Sequence, residues 1–349
     1  MGIKVLIVDD SATARAILSD ILQSDSDIQS IETAPDAYIA RDKIVKNTPD
    51  VICLDVEMPR MDGITFLKKL MLHMPIPVVM VSSLTKNGAQ TTLDALEAGA
   101  VDFIAKPHSN IYDSTSEIQE ELLQKVKAAA NAIVHKHAST GIIKKLKYNN
   151  SLLETTQKLI VVGSSTGGVE ALKEFLPQFP RNTPGMLIVQ HMPADFTKQL
   201  AERLDGICQM DVREAIDGDT LNIGEILIAP GDRHMVLRRS GHRYYVQLGG
   251  GQKVSGHRPS VDVLFNSVSK TAGANAVGVI LTGMGSDGAK GLLNMYKAGA
   301  MTFAQDKKSC VVYGMPKVAF ELGGVVKQNS LSDLPSNILD FLENKVNIE

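Results

Sequence analysis

The chain has 349 residues, a length that predicts two domains because one domain commonly holds about 100–200 residues. It carries 36 Lys or Arg against 39 Asp or Glu, a formal net charge of −3 at pH 7. Such a balance supplies no general attraction for nucleic acid or anionic lipid. We therefore expect a protein that binds no nucleic acid and does not insert directly into a membrane.

The three cysteines, Cys53, Cys208 and Cys310, are too few and too far apart to form a CxxC pair. A sparse, odd count is typical of a reducing compartment. The short apolar run after Met1 does not predict a signal peptide, and no apolar run approaches the ~20 residues that span a bilayer. We therefore expect a cytoplasmic protein.

Residues 1–125 alternate apolar runs with helical stretches. The apolar runs, each followed by a polar group, are Lys4–Val8, Pro49–Leu54, Ile76–Val81 and Val101–Ala105. Helices are predicted between them, for example over Thr13–Gln23 and Gly63–Met74. Continuous apolar strands that alternate with helices indicate a parallel sheet covered on both faces. The first domain is predicted to be a doubly wound, flavodoxin-like α/β fold over residues 1–125.

Residues 126–157 are predicted to be a linker. Lysine and asparagine are frequent from about His135 onward, large apolar residues are few, and they show no sustained period. We expect a helix that begins near Glu117 to continue into the start of this segment.

Residues 158–349 resume the alternation of strands and helices. Four apolar runs lead into polar or glycine-containing loops: Lys158–Val162, Gly185–Gln190, Glu225–Ala229 and Ala276–Leu281. Alternating polar and apolar residues over Met235–Arg239 and Tyr244–Leu248 predict an antiparallel hairpin. The second domain is therefore predicted to be a doubly wound parallel sheet as well, a Rossmann-like α/β hydrolase fold with an antiparallel hairpin.

Polar side chains follow the strands of the first domain, and parallel strands present their carboxyl ends at one edge of a sheet. These side chains are Asp9, Asp10, Asp55, Ser82 and Lys106. Three carboxylates repel one another unless a cation such as Mg²⁺, which prefers oxygen ligands, lies among them. A lysine and a hydroxyl beside the same point suit a phosphoryl group. Singly, each residue is as well explained as a helix cap or a solvated side chain, but the set together predicts a phosphate-accepting carboxylate.

The order of these residues, with the segment Asp55-Val-Glu-Met-Pro-Arg-Met-Asp-Gly63 and the pair Lys106-Pro107, resembles the response-regulator receiver family. The resemblance covers roughly residues 1–125. It implies that Asp55 takes phosphate from a histidine kinase and that Ser82 and Lys106 sense the phosphate. The implied Mg²⁺ ligands are Asp9, Asp10, Asp55 and the backbone carbonyl of Glu57.

In the second domain, Gly163-Ser-Ser-Thr-Gly-Gly168 lies between a predicted strand and a predicted helix. Such a turn either binds phosphate at a helix N-terminus or presents a nucleophile. It lacks the Lys-Ser/Thr of a P-loop, and its glycines do not match a dinucleotide fingerprint. The next apolar run ends at His191, a general base for serine, and another supplies Asp287, which orients the imidazole. The pattern leaves open three competing candidates, Ser164, Asp195 and His257.

Five segments of this domain are similar to the catalytic domain of the CheB family of protein-glutamate methylesterases. They are Gly163–Gly168, Gln190–Pro193, Ala229–Gly231, His257–Ser260 and Leu281–Ala289. The resemblance implies Ser165 as nucleophile, His191 as base and Asp287 as orienting acid. It also implies that Thr166 and Met284 line the site and its oxyanion hole, and that the catalytic domain needs no cofactor.

The function implied for the whole chain is phosphorylation-activated hydrolysis of glutamate methyl esters on methyl-accepting chemoreceptors, with deamidation of receptor glutamines. The expected partners are these receptors and the histidine kinase of the chemotaxis pathway, and the expected state is a monomer. The alternatives are a methylesterase of a sister sensory pathway outside chemotaxis and a non-catalytic phosphate sink. A transcriptional regulator is disfavoured because residues 158–349 lack a short basic helix-turn-helix pattern.

Overall fold

A computed structural model describes residues 2–82, 86–106, 116–133, 146 and 158–343. The chain divides into two compact units, Met1–Gly141 and Ile142–Glu349. Most of the predicted linker, residues 126–157, lies outside the described residues, and the predicted domain boundaries stay a prediction. Within the described residues, no helix has the length and apolar character needed to cross a bilayer.

The first unit contains a five-stranded sheet in the order β2-β1-β3-β4-β5, with every neighbouring pair parallel. The strands are β1 (Ile3–Val8), β2 (Ile28–Ala34), β3 (Val51–Asp55), β4 (Val78–Ser82) and β5 (Asp102–Ala105). The helices are α1 (Ala12–Gln23), α2 (Ala37–Lys46), α3 (Gly63–His73), α4 (Lys86–Glu97) and α5 (Ser116–Ala130). This strand order confirms the predicted doubly wound, flavodoxin-like fold.

Local sequence sets where three helices of this unit begin. The side chains of Ser11, Asp36 and Asp62 accept hydrogen bonds from the first free backbone N–H groups of α1, α2 and α3. Two of these caps follow strands directly, so each chain reversal takes place at the carboxyl edge of the sheet. Polar side chains placed just after the strands are thereby collected at that edge.

The second unit contains a seven-stranded parallel sheet in the order β14-β13-β12-β6-β7-β9-β8 and a separate antiparallel pair, β10 and β11. The strands are β6 (Leu159–Ser164), β7 (Met186–Gln190), β8 (Asp211–Glu214), β9 (Glu225–Ile228), β10 (His234–Ser240), β11 (Arg243–Gly249), β12 (Ala276–Ile280), β13 (Met301–Gln305) and β14 (Lys327–Asn329). The helices are α6 (Gly168–Phe175), α7 (Phe196–Asp205), α8 (Val261–Thr271), α9 (Ala289–Lys297), α10 (Met315–Glu321) and α11 (Leu334–Leu342), and two short 3-10 turns cover Leu176–Gln178 and Gly273–Asn275.

The hairpin of β10 and β11 is held by its apolar face. Met235 and Leu237 on β10 and Val246 and Leu248 on β11 are buried in the same core cluster as Phe265 of α8. The predicted antiparallel hairpin and the predicted parallel sheet are both confirmed. Because the hairpin packs on α8, it also fixes the N-terminus of that helix at the carboxyl edge of the sheet.

Candidate active site

Three adjacent strands deliver the predicted catalytic residues. Strand β6 lies between β12 and β7, with Gly163 beside Ile280 on one side and Ser164 beside Gln190 on the other. Ser165 and His191 therefore follow neighbouring strands at the same edge of the sheet, and Asp287 lies in the loop that follows β12.

The imidazole of His191 joins the serine and the aspartate. Its Nδ1 lies 3.1 Å from Ser165 Oγ and its Nε2 lies 2.8 Å from Asp287 Oδ2. The side chains of His191 and Asp287 are 6% and 1% exposed. Since Nδ1 must accept the proton of the serine hydroxyl, the neutral ring carries its own proton on Nε2 and donates it to Asp287. This arrangement can transfer a proton from Ser165 to His191 while a carboxylate stabilises the cation that forms.

Asp287 is held as an anion by the start of α8. Four further groups donate to its carboxylate at 2.7 to 3.0 Å: Ser260 Oγ and the backbone N–H groups of Val261, Asp262 and Gly288. Ser260 is the N-cap of α8, so the carboxylate lies where free N–H groups and the helix dipole favour negative charge. Burial by itself raises the pKa of Asp287, but the hydrogen bonds, above all that from His191, outweigh burial and lower the pKa below its ordinary value.

Ser165 lies in a tight turn between β6 and α6. Its backbone N–H donates to the carbonyl of Thr282 over 3.1 Å, and its own carbonyl accepts from Gly168 N over 2.7 Å. A Cβ added at Gly283 would lie 2.8 Å from the Cβ of Ser165, a distance that carbon atoms do not tolerate. The absence of a side chain at Gly283 therefore lets the loop after β12 close on the nucleophile.

Gln190 was not predicted as a site residue, yet its side-chain amide bonds to the backbone of both the nucleophile and the base. Its Oε1 accepts from Ser164 Oγ over 2.7 Å, and its Nε2 donates to the carbonyls of Ser165 over 2.9 Å and His191 over 3.3 Å. The residue is 3% exposed. A glutamine that ends an otherwise apolar run, directly before the predicted base, was the signal in the sequence, because a buried amide must satisfy both its oxygen and its nitrogen.

The structure places the competing candidates outside the proton-transfer positions. Ser164 is buried and its hydroxyl donates to Gln190. Asp195 is exposed at the start of α7 with a φ of 69°. The ring of His257 does reach His191, but it stacks on the face of that ring.

The two residues predicted to line the site belong to the turns around Ser165. Thr166 is buried, and its carbonyl accepts from Thr282 Oγ1 over 3.0 Å. Met284 is half-buried and follows Gly283, the residue that contacts Ser165.

The first unit collects its predicted residues at the carboxyl edge of its own sheet. Carboxylate oxygens of Asp9, Asp10 and Asp55 all lie within 4.8 Å of one another. Lys106 Nζ lies 2.8 Å from Asp55 Oδ2 and 3.1 Å from Asp9 Oδ2. Burial, and then the charge of Asp9, raise the pKa of Asp55 to about 6 in spite of the hydrogen bond from Lys106. The cluster has three carboxylates and a single lysine, so it can hold a divalent cation that takes oxygen ligands. These residues therefore fit Mg²⁺.

Ser82 and Gly63 lie next to the residues of this cluster. Ser82 is buried at the end of β4, where its Oγ accepts from Thr92 Oγ1 over 2.9 Å and its carbonyl accepts from Lys106 N over 2.8 Å. A Cβ at Gly63 would come within 2.0 Å of the Asp55 carbonyl oxygen, which explains a glycine at the end of the segment that begins with Asp55. Glu57 follows β3 and is exposed, and its carbonyl remains a predicted ligand.

One unit therefore has a carboxylate cluster at the edge of a flavodoxin-like sheet, and the other has a Ser–His–Asp arrangement at the edge of a larger sheet. Together these features indicate a response regulator joined to a hydrolase. Residues 5–113 match the response regulator receiver domain, and residues 160–338 match the family described as CheB methylesterase. The chain belongs to the CheB methylesterase family, which confirms the resemblance seen in its motifs.

Known relatives agree with this assignment over nearly the full chain. A protein-glutamate methylesterase/protein-glutamine glutaminase of Sulfurimonas denitrificans is 59% identical over 99% of this chain and 100% of its own length. The protein of the same name from Salmonella typhimurium is 51% identical over 97% of this chain and 96% of its own length. Among solved structures, the CheB methylesterase catalytic domain of Thermotoga maritima matches with a TM-score of 0.53 and 37% identity, covering 54% of this chain and 100% of that domain.

Proposed function

We propose that this chain hydrolyses glutamate methyl esters, and deamidates glutamines, on methyl-accepting chemoreceptors under the control of phosphorylation at Asp55. The observation that carries the hydrolase activity is the His191 ring, with one nitrogen 3.1 Å from Ser165 Oγ and the other 2.8 Å from Asp287 Oδ2. The names of the relatives, protein-glutamate methylesterase/protein-glutamine glutaminase, support the substrate class.

In the proposed reaction, Ser165 Oγ attacks the side-chain carbonyl carbon of the substrate while His191 Nδ1 takes the hydroxyl proton. Asp287 stabilises the imidazolium that forms. His191 then gives this proton to the leaving group, which departs as methanol from an ester or as ammonia from a glutamine. Water attacks the acyl-enzyme, His191 takes its proton and returns it to Ser165 Oγ, and the receptor keeps a glutamate carboxyl group.

The negative charge that develops on the carbonyl oxygen needs donors near Ser165. The N–H of Ser165 itself donates to the Thr282 carbonyl, so it is already engaged. The resemblance to the methylesterase family points to Thr166 and Met284, and both lie in turns beside the nucleophile: Thr166 follows Ser165 directly, and Met284 follows Gly283, which packs against Ser165. We assign the oxyanion hole to the backbone N–H groups of these two residues.

In the receiver, Asp9, Asp10, Asp55 and the carbonyl of Glu57 are proposed to hold Mg²⁺. The cation supplies positive charge to the incoming phosphoryl group when it is bound. Asp55 accepts the phosphoryl group from the histidine kinase of the chemotaxis pathway, and the ammonium of Lys106, 2.8 Å from Asp55, then balances its charge. Ser82, at the end of the neighbouring strand, contacts the phosphate through its hydroxyl.

The remaining assignments rest on the sequence. We propose a receiver over residues 1–125, a linker over 126–157 and a catalytic domain over 158–349. The proposed location is the cytoplasm, and the proposed state is a monomer without a nucleic-acid partner.

A fluorophosphonate probe tests the nucleophile directly, because it reacts only with an activated serine hydroxyl. We expect one label per chain, on the peptide that carries Ser165, and none in the Ser165→Ala variant. The Ser164→Ala variant is the matched control and should label and turn over at a rate much closer to that of the wild type. Labelling that depends on Ser164, or a chain that acts only as a phosphate sink and takes no label, would contradict the proposal.

A further inference from the structure

A second histidine, His257, lies beside the Ser165–His191–Asp287 arrangement without belonging to it. Its ring is stacked on that of His191, with ring centroids 3.7 Å apart and planes inclined by 13°. His191 directs both ring nitrogens to other partners in the plane of the ring. His257 therefore contacts the base through its face and does not compete for either hydrogen bond.

The chain segment that carries His257 also holds Asp287. Three residues further on, Ser260 Oγ donates to Asp287, and the N–H of Val261 does the same. One short segment therefore contacts the base on its face and the orienting acid on its carboxylate.

Hydrogen bonds hold the backbone around His257 in place. The N–H and carbonyl of His257 exchange two hydrogen bonds of 3.0 Å with those of Val254. The next side chain, Arg258, donates from Nε to Asp232 Oδ1 over 2.8 Å and from its guanidinium to the carbonyl of Gly251. A ring anchored in this way can restrict the motion of its neighbour.

The two hydrogen bonds of His191 do not by themselves prevent one motion, which is limited otherwise only by the Cβ–Cγ bond of the side chain. They lie at opposite ends of a line through Nδ1 and Nε2, and the ring can still rock about that line. A stacked ring removes this freedom on one side, because the His257 ring lies against the face of His191 and two rings cannot interpenetrate.

We propose that His257 is a positioning residue for the general base, whose stacked ring holds the His191 imidazole in the plane in which it takes the proton of Ser165. This proposal rests on the proposed function of Ser165 and His191. Stacking requires a flat ring and no particular nitrogen, which separates it from any role of His257 in acid–base chemistry.

The test compares His257→Phe, which keeps a flat ring, with His257→Leu, which keeps apolar volume without one. Both are measured in the full chain, with Mg²⁺ and acetyl phosphate, as methanol release from methylated receptor membranes. The Leu variant is expected to lose about tenfold or more in kcat with KM changed less than about twofold, because misplacing a catalytic group slows the chemical step. The Phe variant is expected to stay within about threefold of wild-type kcat, since it restores the aromatic contact.

His242, in the turn between β10 and β11, provides the matched control, and His242→Leu should retain wild-type kcat. A merely structural role would lower the melting temperature of the Leu variant and leave the kcat of the folded fraction unchanged. Wild-type kcat in the Leu variant, or a Phe variant as slow as the Leu variant, would overturn the proposal.

The Nε2 proton of His191 gives a second readout that needs no ester hydrolysis. Proton NMR should show it as a far-downfield signal, because it is shared with Asp287. In the Leu variant we expect this signal to shift, because the ring current of residue 257 is lost, and we expect the proton to exchange faster with water. The Phe variant should retain slow exchange of this proton. Equal exchange in wild type and Leu variant would count against the proposal even if the chain hydrolysed no ester, so its failure and that of the proposed function are distinguishable.

Discussion

At the scale of single residues, Asp287 shows how a protein keeps a buried carboxylate ionised. Five groups donate to its two oxygens: three come from the start of α8, one is the backbone N–H of Gly288, and one is the His191 ring. In Asp287→Asn one oxygen becomes an NH₂ group that faces these donors in either orientation of the amide. The His191 tautomer is no longer dictated, and several buried donors lose their acceptor.

We therefore predict that Asp287→Asn lowers kcat by about 10³ to 10⁴-fold, as expected for loss of the orienting acid. The measurement is methanol release from methylated receptor membranes. Asp195→Asn is the matched control, because Asp195 is exposed and its φ of 69° is one that asparagine adopts readily. An Asp195→Asn variant that lost activity while Asp287→Asn kept it would reverse the assignment.

The lowered pKa of Asp287 also predicts a pH dependence of stability. The folded state lowers this pKa below its ordinary value of 3.8, so the ionised form stabilises the fold above that value, and the contribution is lost as pH falls through the folded pKa. The melting temperature of the wild type should exceed that of Asp287→Asn at about pH 6, and the difference should shrink toward about pH 3. A difference that stayed constant over this range would show that Asp287 is not stabilised as an anion.

Single residues were predictable from sequence where chemistry alone identifies them. Ser165, His191 and Asp287 each follow an apolar run and each has a side chain suited to acyl transfer. Gln190 and His257 were not assigned these contacts, because an amide bridging two backbone carbonyls and a ring stacked on another ring depend on the approach of distant chain segments. Nothing in the sequence position of His257 reveals that its ring reaches His191, whereas Gln190 directly precedes the base and only the distant partners of its amide, among them the Ser165 carbonyl, could not be foreseen.

At the scale of elements, β6 and β7 must keep a fixed spacing, because one carries the nucleophile and the other the base. The Gln190 amide bonds to the carbonyls of Ser165 and His191, the residues directly after the two strands, and to the hydroxyl of Ser164. Gln190→Leu keeps similar volume but removes the amide from all three groups, and the Ser165 carbonyl then keeps only its bond from Gly168 N. We predict a fall in kcat of about tenfold or more with little change in KM, since the reacting groups lose their alignment.

The control for this prediction is a double-variant cycle with Ser164→Ala. Ser164 acts through the same amide, so adding Ser164→Ala to Gln190→Leu should cost little further activity. Wild-type kcat in Gln190→Leu, or a large further loss when Ser164→Ala is added, would show that the amide does not set the spacing of the two strands.

The carboxylate cluster of the first unit likewise belongs to the ends of its strands. With Mg²⁺, acetyl phosphate is predicted to add one phosphoryl group to the wild type, and without the cation none, because three carboxylates would repel the phosphate. Asp55→Asn should take none under either condition, and the exposed Asp42→Asn should behave as the wild type. Mass spectrometry of each intact chain counts the phosphoryl groups added. Stoichiometric labelling of Asp55→Asn would refute the assignment.

The strands that were not predicted are explained by their place in the sheets. β2, β8 and β14 are edge strands with partly exposed residues, so their sequences contain no continuous apolar run. β13 is fully buried, yet its sequence includes Thr302 and Gln305, and the Gln305 side chain accepts from Thr282 N over 2.8 Å. A buried polar residue with a distant partner breaks the apolar pattern without breaking the strand.

At the scale of the whole molecule, a receiver and a hydrolase in one chain are expected to be coupled. The family resemblance implies that the unphosphorylated receiver inhibits the catalytic unit and that phosphate at Asp55 relieves the inhibition. Such a switch needs a bias of only a few kcal/mol between two states. A fragment that begins near Leu152 should then be more active than the unphosphorylated full chain and should not respond to a phosphodonor. A fragment no more active than that chain would rule out simple relief of inhibition.

The most direct test of the account is methanol release from methylated receptor membranes by the full chain, with Mg²⁺ and with or without acetyl phosphate. We predict slow release without the phosphodonor and markedly faster release with it. Asp55→Asn should stay slow under both conditions, and Ser165→Ala should release none. Methanol release by Ser165→Ala at the wild-type rate, or no release by the phosphorylated wild type, would contradict the account.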